Sequence, residues 1–124
     1  MARILIDTNI WIQHFKTKQE SIIKILHNEE IVSHPLILGE LHLGVYNNPS
    51  ERQKVIELLN QLECLNFETN SLIYEFINSQ KLYGKKIGFI DSHLLYSTIK
   101  NKVKLWTMDK NLLLLARQMN CSWT

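Results

Sequence analysis

The sequence predicts an α/β fold, a parallel sheet covered by helices on both faces. Short apolar runs that read as strands alternate along the chain with segments of helical period. The first such run, Arg3-Ile4-Leu5-Ile6, has the composition of a buried strand. No repeat, linker or low-complexity stretch interrupts the pattern, so the 124 residues are expected to form one domain, 1–124.

Asp7-Thr8-Asn9 follows the first strand as a turn and helix start, and Ile10, Trp11 and Phe15 continue an apolar helical face. Residues 19–28 repeat the i, i+3, i+4 spacing of a second helix, with Asn28 as a stop. Ile31-Val32-Ser33 is a strand. Ser33 or His34 then caps a helix with Pro35 at its first position, running to about Tyr46. Asn47-Asn48-Pro49-Ser50 reads as a loop, with Ser50 capping a helix through Leu62. Glu63-Cys64-Leu65-Asn66 suits a strand, and a helix from about Ser71 to Tyr83 ends at Gly84. After the basic loop Lys85-Lys86-Ile87-Gly88, residues 90–100 are helical, Lys104-Leu105-Trp106 is a strand and 109–119 a helix. Cys121-Ser122-Trp123 suits a last short strand.

Apolar residues make up 45% of the chain and charged residues 21%, ordinary values for a globular protein. No apolar run approaches the roughly 18 residues of a membrane span. The short N-terminal apolar stretch, soon followed by Asp7, is unlike a signal peptide. Cys64 and Cys121 lie in no metal-binding spacing and read as buried, reduced core residues. A cytoplasmic protein is therefore expected. The net charge of +2 is unevenly placed: residues 1–80 carry −4 and residues 81–124 carry +6. A basic C-terminal third hints at an anionic partner, although solvated lysines are the usual explanation of such a surplus.

The chain has three aspartates, and all stand at element junctions: Asp7 after the first strand, Asp91 at a helix start, Asp109 just beyond the Lys104-Leu105-Trp106 strand. In open α/β sheets, sites form outside the carboxyl ends of strands. Asp is also a favoured helix cap, which accounts for any one of the three. Glu40 is different, since it sits mid-helix in Pro35-Leu36-Ile37-Leu38-Gly39-Glu40-Leu41-His42-Leu43 and caps nothing. That helix is apolar nearly all round, so burial is expected, and a buried carboxylate needs a cationic side chain or a metal. Carboxylates gathered in one pocket repel one another, and a hard divalent cation such as Mg²⁺ removes the conflict. Such a site can activate water for phosphodiester hydrolysis.

With these residues in view, the sequence resembles the PIN-domain nucleases, and within them the VapC-type toxins of type II toxin–antitoxin (VapBC) modules. Ile4-Leu5-Ile6-Asp7-Thr8-Asn9 looks like the opening strand and D-[ST]-[NS] signature. Leu38-Gly39-Glu40-Leu41 looks like the second motif, Phe89-Ile90-Asp91-Ser92 the third and Thr107-Met108-Asp109 the fourth. The resemblance implies a PIN-like three-layer α/β/α sandwich with a twisted central parallel sheet. It implies a Mg²⁺-dependent endoribonuclease (Mn²⁺ a possible substitute) acting on tRNA or ribosomal RNA, a homodimer, and a VapB-type antitoxin as partner. Asp7, Glu40, Asp91 and Asp109 would be the catalytic and metal-binding acids, with Thr8, Asn9 and Thr107 as their hydrogen-bonding support. Lys85, Lys86 and Lys110 would meet RNA phosphates. Asn111 stands where many relatives carry a further acid, and no family motif is legible between Leu43 and Gly88.

The five histidines, His14, His27, His34, His42 and His93, read as structural, and Trp11, Trp106 and Trp123 as core residues. A phosphotransfer protein of the haloacid-dehalogenase type would want a second Asp two residues after the first, where Asn9 stands. A non-catalytic module that holds a metal and binds RNA or protein remains the alternative to an enzyme.

Overall fold

A computed structural model describes residues 3–17 and 30–124, without the side chains of residues 16 and 17. Among these residues four strands, β1 (Arg3–Ile6), β2 (Glu30–Ser33), β3 (Glu63–Cys64) and β4 (Lys104–Trp106), form one all-parallel sheet in the order β3-β2-β1-β4. The helices are α1 (Thr8–Thr17), α2 (Pro35–His42), α3 (Pro49–Asn60), α4 (Asn70–Gln80), α5 (Phe89–Lys100) and α6 (Lys110–Gln118). The α/β sandwich expected from the alternation is present. The helix expected over 19–28 lies outside the described residues. None of the described helices is long and apolar enough to cross a membrane.

The sheet places the site through β1. Ile4, Leu5 and Ile6 are fully buried, with Leu5 in register with Val32 on one side and Leu105 on the other. The chain therefore leaves β1 toward β2 in one direction and reaches β4 in the other. This is the switch point beside which open α/β sheets build their sites. Trp11, Ile37, Leu41, Leu94, Leu95 and Leu112 pack around it to form the core. Burying a side chain of this size contributes roughly 1.5–3 kcal/mol, so the strand end that carries the first aspartate is held firmly.

Local chemistry sets the helix boundaries, in places differently from the sequence reading. His34 caps α2, its Nδ1 accepting from Leu36 N at 3.0 Å, and Pro35 takes the first turn. The helix stops at His42 rather than Tyr46. The Tyr46 hydroxyl donates to Leu41 O at 2.7 Å and Arg52 donates to His42 O, so side chains satisfy carbonyls that another turn would have used. Asn48, not Ser50, caps α3 (Glu51 N to Asn48 Oδ1, 2.8 Å), because Pro49 fits the first helical position. The helix ends at Asn60 rather than Leu62. Helix α4 ends at Gln80 rather than Tyr83, with Lys81 as its C-cap in the left-handed conformation (φ 54°); Gly84 (φ 77°) sits in the following turn. The expected last strand reduces to one bridge between Leu105 and Ser122. Cys121 is buried as expected, but Cys64 lies exposed on the short edge strand. Trp11 is buried, whereas Trp106 and Trp123 are half-buried against the core.

Candidate functional site

Asp7 is the floor of the site. It continues β1 by donating its backbone N–H to Trp106 O at 2.9 Å, and its carbonyl accepts from Ile10 and Trp11 at the start of α1. The carboxylate is nearly buried and both oxygens are held: Oδ1 accepts from Thr8 N at 2.8 Å and Oδ2 from the Thr107 hydroxyl at 2.7 Å. Charge-assisted bonds of this kind fix a carboxylate's orientation.

Thr107 links two acids. Its Oγ1 donates to Asp7 and accepts the backbone N–H of Asp109 at 3.1 Å. Asp109 caps α6, accepting from Leu112 N at 2.9 Å, and lies at the exposed rim. The cap and the candidate acid are thus the same residue.

Asp91 enters from α5. It stands in the first turn, half-buried, with Gly88 N donating to Oδ2 at 3.4 Å. Burial raises its pKa most, the Gly88 N–H opposes that rise, and the negative charges of Asp7, Asp109 and Glu40 raise it further. The four acids therefore share one electrostatic neighbourhood.

Glu40 is corrected in one respect. It is exposed, not buried, because only Ile37 and Leu41 are buried on α2 and the opposite side meets solvent. The apolar composition of this helix overstated its burial. What ties Glu40 to the other acids is its charge on Asp91.

The expected supporting residues divide. Thr107 bonds a carboxylate with its side chain. Thr8 does so with its backbone, its buried Oγ1 having no partner among the described residues. Asn9 is exposed, and no hydrogen bond among the described residues ties it to an acid. Lys85, Lys86 and Lys110 are exposed. Asn111, at the position of the missing fifth acid, donates its amide to Lys86 O at 3.2 Å and so ties the basic loop to the start of α6. The sequence reading overlooked the Gly88 N–H beside Asp91. The Gly-x-x-Asp spacing at the head of a helix was the signal for it.

Among the described residues the ion pairs are Arg3–Glu63 and Lys100–Glu68, and neither involves these four acids. Nor do three His, Cys, Asp or Glu side chains close into a ready cage for an ion among the described residues. An open, all-oxygen, mutually repelling set fits Mg²⁺ or Mn²⁺, which keep several waters and need few protein ligands. It does not fit a structural zinc site.

A parallel sheet with acids at the β1 switch point and on α2, α5 and the α6 cap defines a class, and the chain belongs to it: it is a member of the PIN domain family, whose model matches residues 4–118. Ribonuclease VapC32 of Mycobacterium tuberculosis is 32% identical over 110 residues, covering 88% of this chain and 86% of that protein. The fold is shared with VapBC-1 from nontypeable Haemophilus influenzae (TM-score 0.72, 21% identity, 98% of this chain and 96% of that one). It is shared also with a toxin–antitoxin complex from Klebsiella pneumoniae (TM-score 0.66, 19% identity, 86% of each chain).

Proposed function

We propose that this chain is a divalent-metal-dependent endoribonuclease of the VapC type, the toxin of a toxin–antitoxin pair. The observation that carries the reading is the electrostatic grouping of the acids around Asp91. Asp7 is locked by Thr107 and the Thr8 amide at the sheet's switch point, and Asp91 feels the charges of Asp7, Asp109 and Glu40. The ribonuclease relative supports the activity. The solved VapBC neighbours support a VapB-type antitoxin as partner.

Asp7, Glu40 and Asp91 would hold Mg²⁺, or Mn²⁺ in its place, directly or through water. The ion supplies a lowered water pKa and positive charge for the departing oxygen. Asp109 completes the pocket and orients the attacking water. Thr107 keeps one Asp7 oxygen aimed, and the Thr8 amide holds the other. Lys85, Lys86 and Lys110 meet the RNA backbone and offset the acids' repulsion of phosphate. The substrate class is tRNA or ribosomal RNA. The chain acts as a single domain and a homodimer in the cytoplasm.

The test is incubation of purified wild type and Asp91→Asn with total bacterial RNA, with Mg²⁺ or with EDTA. Discrete fragments from wild type with Mg²⁺ alone support the reading. RNA that binds tightly with Mg²⁺ but stays intact, from folded protein free of antitoxin, would replace it with a non-catalytic binding module.

A further inference from the structure

The basic C-terminal third holds a group of cations that the acid site does not use. Residues 101–124 carry four cations, Lys102, Lys104, Lys110 and Arg117, against one acid, Asp109. Lys104 opens β4 in register with Ile4, so it stands at the amino end of the sheet, whereas Asp7 and Asp109 follow the carboxyl ends of their strands. Two adjoining open hollows meet at Lys104. Lys102, Lys104 and Asn120 line one of them, and Lys104, Asn120, Arg117 and Ser122 line the other. No Asp or Glu lines either hollow.

These cations are not committed elsewhere. The ion pairs among the described residues are Arg3–Glu63 and Lys100–Glu68. Lys104 Nζ donates once, to Asn120 O at 3.0 Å, and an ammonium group has two further protons to give. Arg117 stands in the last turn of α6, where a cation often serves the open carbonyls of the helix. Here backbone donors take them: Met119 N bonds Leu115 O, Cys121 N bonds Ala116 O and Asn120 N bonds Arg117 O, at 2.9–3.1 Å. The buried Ser122 hydroxyl oxygen, in the same lining as Arg117, has no partner among the described residues.

Helix α6 joins this group to the acids. Asp109 caps its start, and Arg117 lies about 12 Å further along the axis. Lys110, Leu114 and Arg117, at i, i+4 and i+7, form one exposed stripe, and α6 itself has no acid. Scattered solvated lysines explain a surplus of charge, not its gathering in two shared hollows at the end of an acid-free helix. The phosphates of an RNA strand that extends past the acids match that arrangement.

We propose that the outer stripe of α6 and the hollows at its end form a phosphate track, along which bound RNA runs from Asp109 to Lys102, Lys104 and Arg117. The proposal rests on the ribonuclease reading and adds to it the reach of the substrate. A bound RNA extends about 12 Å beyond the acids, roughly four nucleotides at about 3.4 Å each.

Binding is measured by fluorescence anisotropy in EDTA, with labelled oligo(A) of about 4 and about 20 nucleotides, lengths at and well above that reach. The first variant combines Lys102→Asn with Arg117→Gln, both exposed positions; Asn tolerates the left-handed backbone of Lys102 (φ 55°). It should weaken binding of the long RNA about tenfold near physiological salt and reduce the log–log salt slope by about 1.4. The short RNA should bind as before. With Mg²⁺, the variant should raise KM for long RNA and keep kcat. Arg117→Glu alone should weaken long-RNA binding more than Arg117→Gln alone. Circular dichroism confirms folding, and the single variants keep the test decisive should the double variant unfold.

Unchanged long-RNA affinity and salt slope in these variants, with a wild type that cleaves RNA, overturns the track and leaves the ribonuclease reading standing. A wild type that neither binds nor cleaves RNA overturns both. A polyglutamate probe that the variants lose while they keep RNA assigns the hollows to an acidic peptide, which also overturns the track.

Discussion

Thr107→Val is the sharpest perturbation the site offers. The two side chains are nearly equal in volume, so the buried pocket around residue 107 stays filled while its hydroxyl is lost. Two hydrogen bonds go with it: the donation to Asp7 Oδ2 at 2.7 Å and the acceptance from Asp109 N at 3.1 Å. A hydrogen bond to a charged group is worth about 1.5–3 kcal/mol and a neutral one about 1 kcal/mol, so urea denaturation should show a loss of roughly 2–4 kcal/mol. Asp7 is left nearly buried with one donor fewer to fix its orientation. RNA cleavage should fall about 10- to 100-fold, as for other outer partners of metal ligands, and the Mg²⁺ concentration for half-activity should rise. Thr98→Val is the control. Its hydroxyl donates to Leu94 O at 2.7 Å within α5, far from the acids in function, and a back-bond of this kind contributes little. A Thr107→Val protein with wild-type stability, activity and Mg²⁺ requirement would refute the claim that this hydroxyl organises the site.

Acid should weaken the fold through His34. Burial first, and then the neighbouring His93, hold its pKa down at about 4, with Glu68 opposing, against 6.5 for a free histidine. The unfolded chain therefore takes up this proton near pH 6.5 and the folded chain only near 4. Stability is lost as pH falls across that window, by up to roughly 3 kcal/mol. His34→Asn keeps a cap but not the titration, so its urea midpoint should fall less between pH 6.5 and 4. Lys85→Ala with Lys86→Ala should weaken RNA binding across sequences and reduce the log–log salt slope by about 1.4; an unchanged slope would place both lysines off the RNA path. Cleavage should leave 5′-phosphate ends that ligate directly, since attack by water needs no 2′-hydroxyl; 2′,3′-cyclic phosphate ends would contradict it.

What the sequence disclosed follows from what it encodes locally. An uninterrupted Ile4-Leu5-Ile6 strand followed by Asp7 fixes both the sheet centre and the first acid, because a buried parallel strand has a single open end from which to present a side chain. Asp109 and Asp91 were legible for the same reason, as polar residues at helix starts. Glu40 was placed in the site on an incorrect physical ground. Its helix is short and half-exposed, with Leu43 protruding beyond its end into solvent, and apolar composition does not say which side faces the core. Ser50 lost the cap to Asn48 because Pro49 favours the first helical turn. The ring contacts Tyr74–Phe89 and Phe67–His93 were invisible, since they join residues from separate segments that nothing in the local pattern relates.

The most direct test of the four-acid site is Mn²⁺ binding followed by electron paramagnetic resonance, with RNA cleavage measured on the same samples. Wild type should bind Mn²⁺ and cleave. Asp7→Asn and Asp91→Asn should lose both together, while Glu57→Gln on the exposed face of α3 should lose neither. Full Mn²⁺ binding and cleavage in folded Asp7→Asn and Asp91→Asn proteins would contradict it.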